Sequence, residues 1–136
     1  MCRLTTKSGR FMLSAPHSVV CFGAFIWKGT RLMLYMVYGV DGQDADRIRA
    51  EQRESHFAYL AENEDILVLG GATLADESDA RTGSLLVISV PSRADADAFA
   101  AGEPFNKAGL FSSYTVSRMR RGQWNPAAAP SSSEGN

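Results

Sequence analysis

The 136-residue chain has the length of one domain, and its 45% hydrophobic and 21% charged residues match an ordinary soluble globular protein. A formal net charge of -1 argues against a dedicated nucleic-acid binder, which needs many phosphate-neutralising cations. Cys2 and Cys21 both precede the part that reads as folded, so neither a disulfide framework nor a cysteine-held metal is expected in the core, in keeping with a cytoplasmic setting.

Residues 1–32 read as an N-terminal extension outside the fold. They hold five basic side chains and no acid, whereas residues 33–126 hold 14 acids against 9 bases. The apolar run from Val19 to Trp27 follows basic residues as in a secretory signal, but Trp27-Lys28-Gly29 makes a poor cleavage site. The run is also shorter than the ~20 residues needed to span a membrane. Met33 is the expected start of the folded chain.

Leu32 to Tyr38 reads as a strand that is apolar on both faces and ends at Gly39 and the Asp41-Gly42 turn. Residues 44–62 read as a long helix, with Asp44 as N-cap, Asp46 in the first turn and Asn63 at the close. At ~100° per residue, Arg49, Arg53, His56 and Leu60 fall on one side. His56 therefore sits where an apolar face meets a basic edge.

Ile66 to Leu69 is a second strand, running into Gly70-Gly71, a pair that marks a bulge or a close approach of another group. A polar hairpin loop over 75–82 leads to the third strand, Ser84 to Val90, again apolar on both faces. Ser92 and Asp95 form a capping box for a second helix that stops at Gly102. Pro104 removes a backbone donor and biases Glu103 towards an extended conformation. Tyr114 to Met119 alternates apolar and polar, as an edge strand does. Residues 122–136 form a low-complexity tail expected to be disordered.

The order βαββαβ is ferredoxin-like, an α+β arrangement with both helices on one face of a four-stranded antiparallel sheet. Two strands are apolar on both faces while the helices cover one. An exposed patch of that size is rare in monomers, so a homodimer closed sheet against sheet into an α+β barrel is expected.

His56 is the expected general base, because imidazole exchanges protons near neutral pH. On spacing alone, a helix-face histidine that packs and finds one hydrogen bond is the commoner outcome. Arg49 and Arg53 beside it favour the neutral ring and attract an anion. Glu103 is a candidate partner for His56, though a solvated carboxylate before a proline is the plainer reading. Tyr38 is a candidate cavity residue, although strand tyrosines are more often core. No phosphate-binding glycine motif and no cluster with metal-ligand spacing is present, so neither cofactor nor metal is expected.

Met33 to Tyr38, Arg53-x-x-His56, Gly70-Gly71 and Glu103-Pro104-Phe105 with Ala108-Gly109-Leu110-Phe111 together resemble the YciI-like (YCII-related) family over about residues 33–121. The resemblance implies a dimeric α+β barrel with a histidine on the first helix and an aspartate in an Asp-Pro-aromatic motif. These positions match His56 and Glu103, and the longer glutamate departs from the pattern. One branch of the family is a dehydrochlorinase of a chlorinated hydroxyhydroquinone. The resemblance thus implies a lyase or dehydrochlorinase-like enzyme with His56 and Glu103 as an acid–base pair. Arg53, Tyr38 and Phe105 are its candidate ligand-binding residues, for a small anionic or phenolic molecule. The alternative is a dimeric small-ligand-binding or interaction module without chemistry.

Overall fold

The computed structural model describes residues 31–132. Both cysteines, His17 and the Val19–Trp27 run lie outside the described residues. The elements follow in the order β1 (Met33–Asp41), α1 (Ala45–Glu62), β2 (Leu67–Leu74), β3 (Arg81–Val90), α2 (Arg93–Gly102), α3 (Pro104–Lys107) and β4 (Phe111–Met119). The sheet order is β2-β3-β1-β4 with every pair antiparallel. This is the ferredoxin-like order, and it places β4 on an edge.

All four strands run further than expected. β1 continues through Gly39 to Asp41, β2 through Gly70 and Gly71 to Leu74, β3 begins at Arg81, and β4 begins at Phe111. Pairing uses the main chain, so residues with little side chain can prolong a ladder. The hairpin loop is therefore shorter than expected and is closed by Ala75 N–H donating to the Ala80 carbonyl at 2.9 Å. The irregularities in β2 lie between Leu67 and Leu69 and between Thr73 and Leu74, not at the paired glycines.

Helix ends follow local chemistry with one exception. Ser92 Oγ accepts the Asp95 N–H at 3.1 Å and caps α2. Asn63 closes α1, and its side-chain amide donates to the Tyr59 carbonyl at 2.8 Å. Asp44 was the expected cap of α1, but its side chain makes no capping bond. It lies instead 3.8 Å from Arg47, an exposed cation one turn on.

Two apolar clusters share the helix-covered side of the sheet. Tyr35, Leu86, Ile88 and Val90 pack with Ala96 and Phe99 of α2. Ala45 and Ile48 of α1 pack with Phe105 of α3 and with Leu110. The alternation of strand side chains turns Leu34, Met36, Tyr38, Leu85 and Val87 to the opposite face. Leu69, paired with Val87 on that face, is 59% exposed. Residues 120–132 are exposed and include one 3-10 turn at Pro126–Ala128. No helix of the described residues is long and apolar enough to cross a membrane.

Gly83 pairs with Val40, and a Cβ there would run into the Gly39 carbonyl oxygen and stand 2.9 Å from Thr73 Oγ1. Gly71 has open space at the same point. Gly83→Ala is expected to lower unfolding free energy by about 2 kcal/mol, as overpacking does. Gly71→Ala should stay within about 0.5 kcal/mol. Urea denaturation of both variants beside wild type measures the difference.

Candidate active site

Among the described residues Glu103 is the one buried polar or charged side chain, with 4% exposure. It stands where α2 ends and α3 begins, in the extended conformation that a following proline favours. Its Oε1 accepts the Phe105 N–H at 3.1 Å and its Oε2 accepts the Asn106 N–H at 3.0 Å. The carboxylate thus caps α3, and Pro104 fills the first helical position, where no N–H is needed. Asn106 ties the turn to α2 by donating from Nδ2 to the Ala100 carbonyl at 2.8 Å.

The third partner of Glu103 is His56, whose Nδ1 lies 2.6 Å from Oε1. A carboxylate accepts only, so Nδ1 carries the proton and donates. The neutral ring then keeps its lone pair on Nε2, which has no hydrogen-bond partner among the described residues. His56 and Glu103 therefore meet within a single chain. The extra methylene of the glutamate leaves it within reach of both the histidine and the helix start.

Phe105 fixes the plane of the imidazole. The two rings stack at 3.9 Å between centroids and 13° between planes, and Phe57 meets His56 edge-on at 5.2 Å. The Arg49 guanidinium stands 5.2 Å from the centre of the Phe105 ring. Arg49 is not a free cation, because it binds Asp41 through two contacts of 2.7 and 3.2 Å. It also donates to the Gly83 carbonyl at 3.1 Å and to Ser84 Oγ at 3.3 Å. One of the two cations expected to influence His56 is thus neutralised, and its role is to bind α1 to β1 and β3. Nearby, Tyr59 donates its hydroxyl to the Phe99 carbonyl at 3.0 Å. Its phenol is held above the usual tyrosine range, first by burial and then by the negative charges of Glu103 and Glu62.

His56 borders two cavities. A small one of about 20 Å³ lies between it, Glu103, Phe105 and Val37, room for about one water. An open groove of about 920 Å³ runs between α1 and β2 and is bordered by His56, Arg53, Phe57 and Phe105. Arg53 is exposed and makes no ion pair among the described residues, and its guanidinium lies 5.0 Å over Phe57. Of the expected site residues, His56, Glu103, Arg53 and Phe105 come together. Tyr38 does not: it pairs with Leu85 and Thr115, turns to the face without helices and borders neither cavity. Sequence reasoning missed α3 and the Arg49–Asp41 pair. An acidic residue directly before proline was the available signal for a capped turn. Among the described residues no group of three or more His, Cys, Asp or Glu side chains is placed to hold a metal ion.

Glu103→Ala removes the cap of α3 and the acceptor for His56 together, with an expected loss of about 2–3 kcal/mol in unfolding free energy. Glu103→Gln keeps one acceptor oxygen and should lose less. In nitrogen–proton NMR spectra the wild-type ring should show the Nδ1–H tautomer, and Glu103→Ala should shift it towards Nε2–H. An unchanged tautomer would remove Glu103 as the group that orients His56.

No curated protein matches the chain. Among solved structures it is similar to the 5-chloro-2-hydroxyhydroquinone dehydrochlorinase TftG from Burkholderia phenoliruptrix AC1100, in complex with 2,5-dihydroxybenzoquinone. That match has 30% identity and a TM-score of 0.60, and covers 65% of this chain and 94% of the dehydrochlorinase. A Nitrosomonas europaea protein assigned as an antibiotic biosynthesis monooxygenase matches at 13% identity and a TM-score of 0.40 over 65% of this chain and 88% of its own, too distant to bear on function. The family model of the YCII-related domain matches residues 33–120. The chain belongs to the YCII-related domain family.

Proposed function

We propose that this protein is a small-molecule enzyme in which His56 and Glu103 perform acid–base chemistry on an anionic or phenolic substrate. The observation that carries the reading is the 2.6 Å contact between His56 Nδ1 and Glu103 Oε1. It leaves Nε2 as the proton acceptor on a residue that borders an open groove. In the first step Nε2 takes a proton from an acidic O–H or C–H of the substrate. The released electron pair stays on the substrate as an anion, or forms a double bond while expelling a leaving group such as chloride. The imidazolium then returns its proton to water. Glu103 stabilises the charged ring, Arg53 holds substrate negative charge, and the stacked Phe105 keeps the imidazole plane fixed. The likeness to a dehydrochlorinase supports elimination as the reaction type.

A second reading, a binding module without chemistry, draws on one observation. All three bonds of Glu103 hold structure in place, two of them at the start of α3. The two readings separate on His56→Gln, assayed by chloride release from chlorinated hydroquinones. The enzyme reading expects turnover to fall at least about 100-fold, as for loss of a general base. Equal turnover in variant and wild type would falsify the role of His56, and ligand binding with no turnover in either protein would favour the module.

The functional unit in this proposal is a homodimer closed through the helix-free face. Leu34, Met36, Tyr38, Leu85 and Leu69 supply an apolar surface there, with Leu69 59% exposed. Light scattering after gel filtration should give twice the chain mass, and Met36→Asp should give the monomer. A wild-type monomer at micromolar concentration would remove the dimer from the proposal.

A further inference from the structure

Among the described residues α1 is the longest helix at 18 residues, yet its buried residues are Ala45 and Ile48, both near its start, with only Tyr59 and Leu60 partly buried against the core further along. A helix of this length on a globular domain ordinarily hides an apolar stripe along its whole run. Here Phe57 is 53% exposed, and together with Leu60 it borders the open groove. The facing wall is β2 at Gly70, Gly71 and Ala72, which supply almost no side chain. Gly70 pairs with Leu86 and Ala72 with Ser84, so both lie in the row of β2 that faces the helix. The small residues leave the groove open where larger ones would fill it.

At about 920 Å³ the groove falls in the range of sites that enclose ligands well beyond a single ring. Its polarity is graded. Asp46, Asp79 and Arg81 border it on the side where α1 begins, whereas Leu60 and Leu67 border it where α1 ends and β2 begins. Between them stands Arg53, a cation without an acidic partner among the described residues, one turn before His56. Arg53 and Leu60 are about 10 Å apart along the helix axis.

We propose that the groove binds an anion with an extended apolar body, either an alkyl chain or fused rings. The charge rests on Arg53 beside His56, and the body runs along Phe57 and Leu60 against the Gly70–Ala72 wall. This rests on the placement of the acid–base centre at His56 but is tested by binding alone. Calorimetric titrations with decanoate, 2-naphthoate, benzoate and decanol separate the terms. Decanoate or 2-naphthoate should bind at least about tenfold more tightly than benzoate, through the added apolar contact. The preferred ligand then identifies the body as chain or fused ring. Arg53→Gln should weaken the preferred anion about fivefold or more and leave decanol unchanged. Ala72→Phe, at an exposed position, should obstruct the groove and weaken the preferred anion while sparing benzoate. Phe57→Ser should weaken it as well, and its 53% exposure makes it a replacement that the fold accommodates. The titrations read binding without turnover, so a failure of the acid–base chemistry leaves this result standing. Benzoate binding as tightly as both longer anions would overturn the proposal. So would undiminished binding by folded Ala72→Phe and Phe57→Ser.

Discussion

The site depends on one carboxylate that serves three donors. Burying a charge is costly unless each oxygen finds a partner. Glu103 meets that condition with two backbone N–H groups of the turn it caps and with the ring N–H of His56. The turn places Phe105 directly after the proline, where its ring meets the imidazole at 3.9 Å. Cap, stack and histidine orientation thus follow from the same few residues. A change at any one reaches the others, because Phe105 is both a donor to the carboxylate and the surface on which His56 lies.

α1 is held at two places of different character. Near its start, the planar guanidinium of Arg49 grips Asp41 and two acceptors on β3, with side-chain exposures of 11% and 9% for the pair. A planar donor fork suits such a joint, and a lysine could not reproduce it. Further along, His56 and Tyr59 reach Glu103 and the Phe99 carbonyl. Beyond Arg49 only Tyr59 and Leu60 of the helix pack, partly buried, against the core of the sheet. The groove over β2 is the space this leaves, and its position beside His56 is a consequence of how the helix is anchored.

Much of this was legible in the sequence because it rests on local rules. Strand runs, the Ser92 cap, the Asn63 stop and the edge character of β4 all follow from residue type at fixed spacing. Glu103 was a candidate partner for His56 from residue type alone, with a solvated carboxylate the plainer reading; the resemblance to YCII-related proteins favoured the pair, since nothing in spacing along the chain joins residues 47 apart. Other features stayed hidden for physical reasons. The Arg49–Asp41 pair and the Phe105 stack are tertiary contacts between elements whose crossing the sequence does not specify. Tyr38 was misplaced because a strand apolar on both faces offers no sign of which face receives the helices. The extent of β2 was missed because glycine carries no side-chain signal, although its backbone can still pair.

β2 has a further property. Among the described residues it pairs only with β3, so its outer edge presents N–H and C=O groups without a ladder partner there. Leu67 to Leu74 contains no charged residue and no proline, the usual means by which edge strands discourage pairing with another chain. The opposite edge, β4, carries Arg118. The same run of small residues that opens the groove therefore leaves this edge unprotected, and it is where non-native intermolecular pairing would begin under denaturing stress. An open groove and a protected edge thus place opposite demands on the side chains of the same strand.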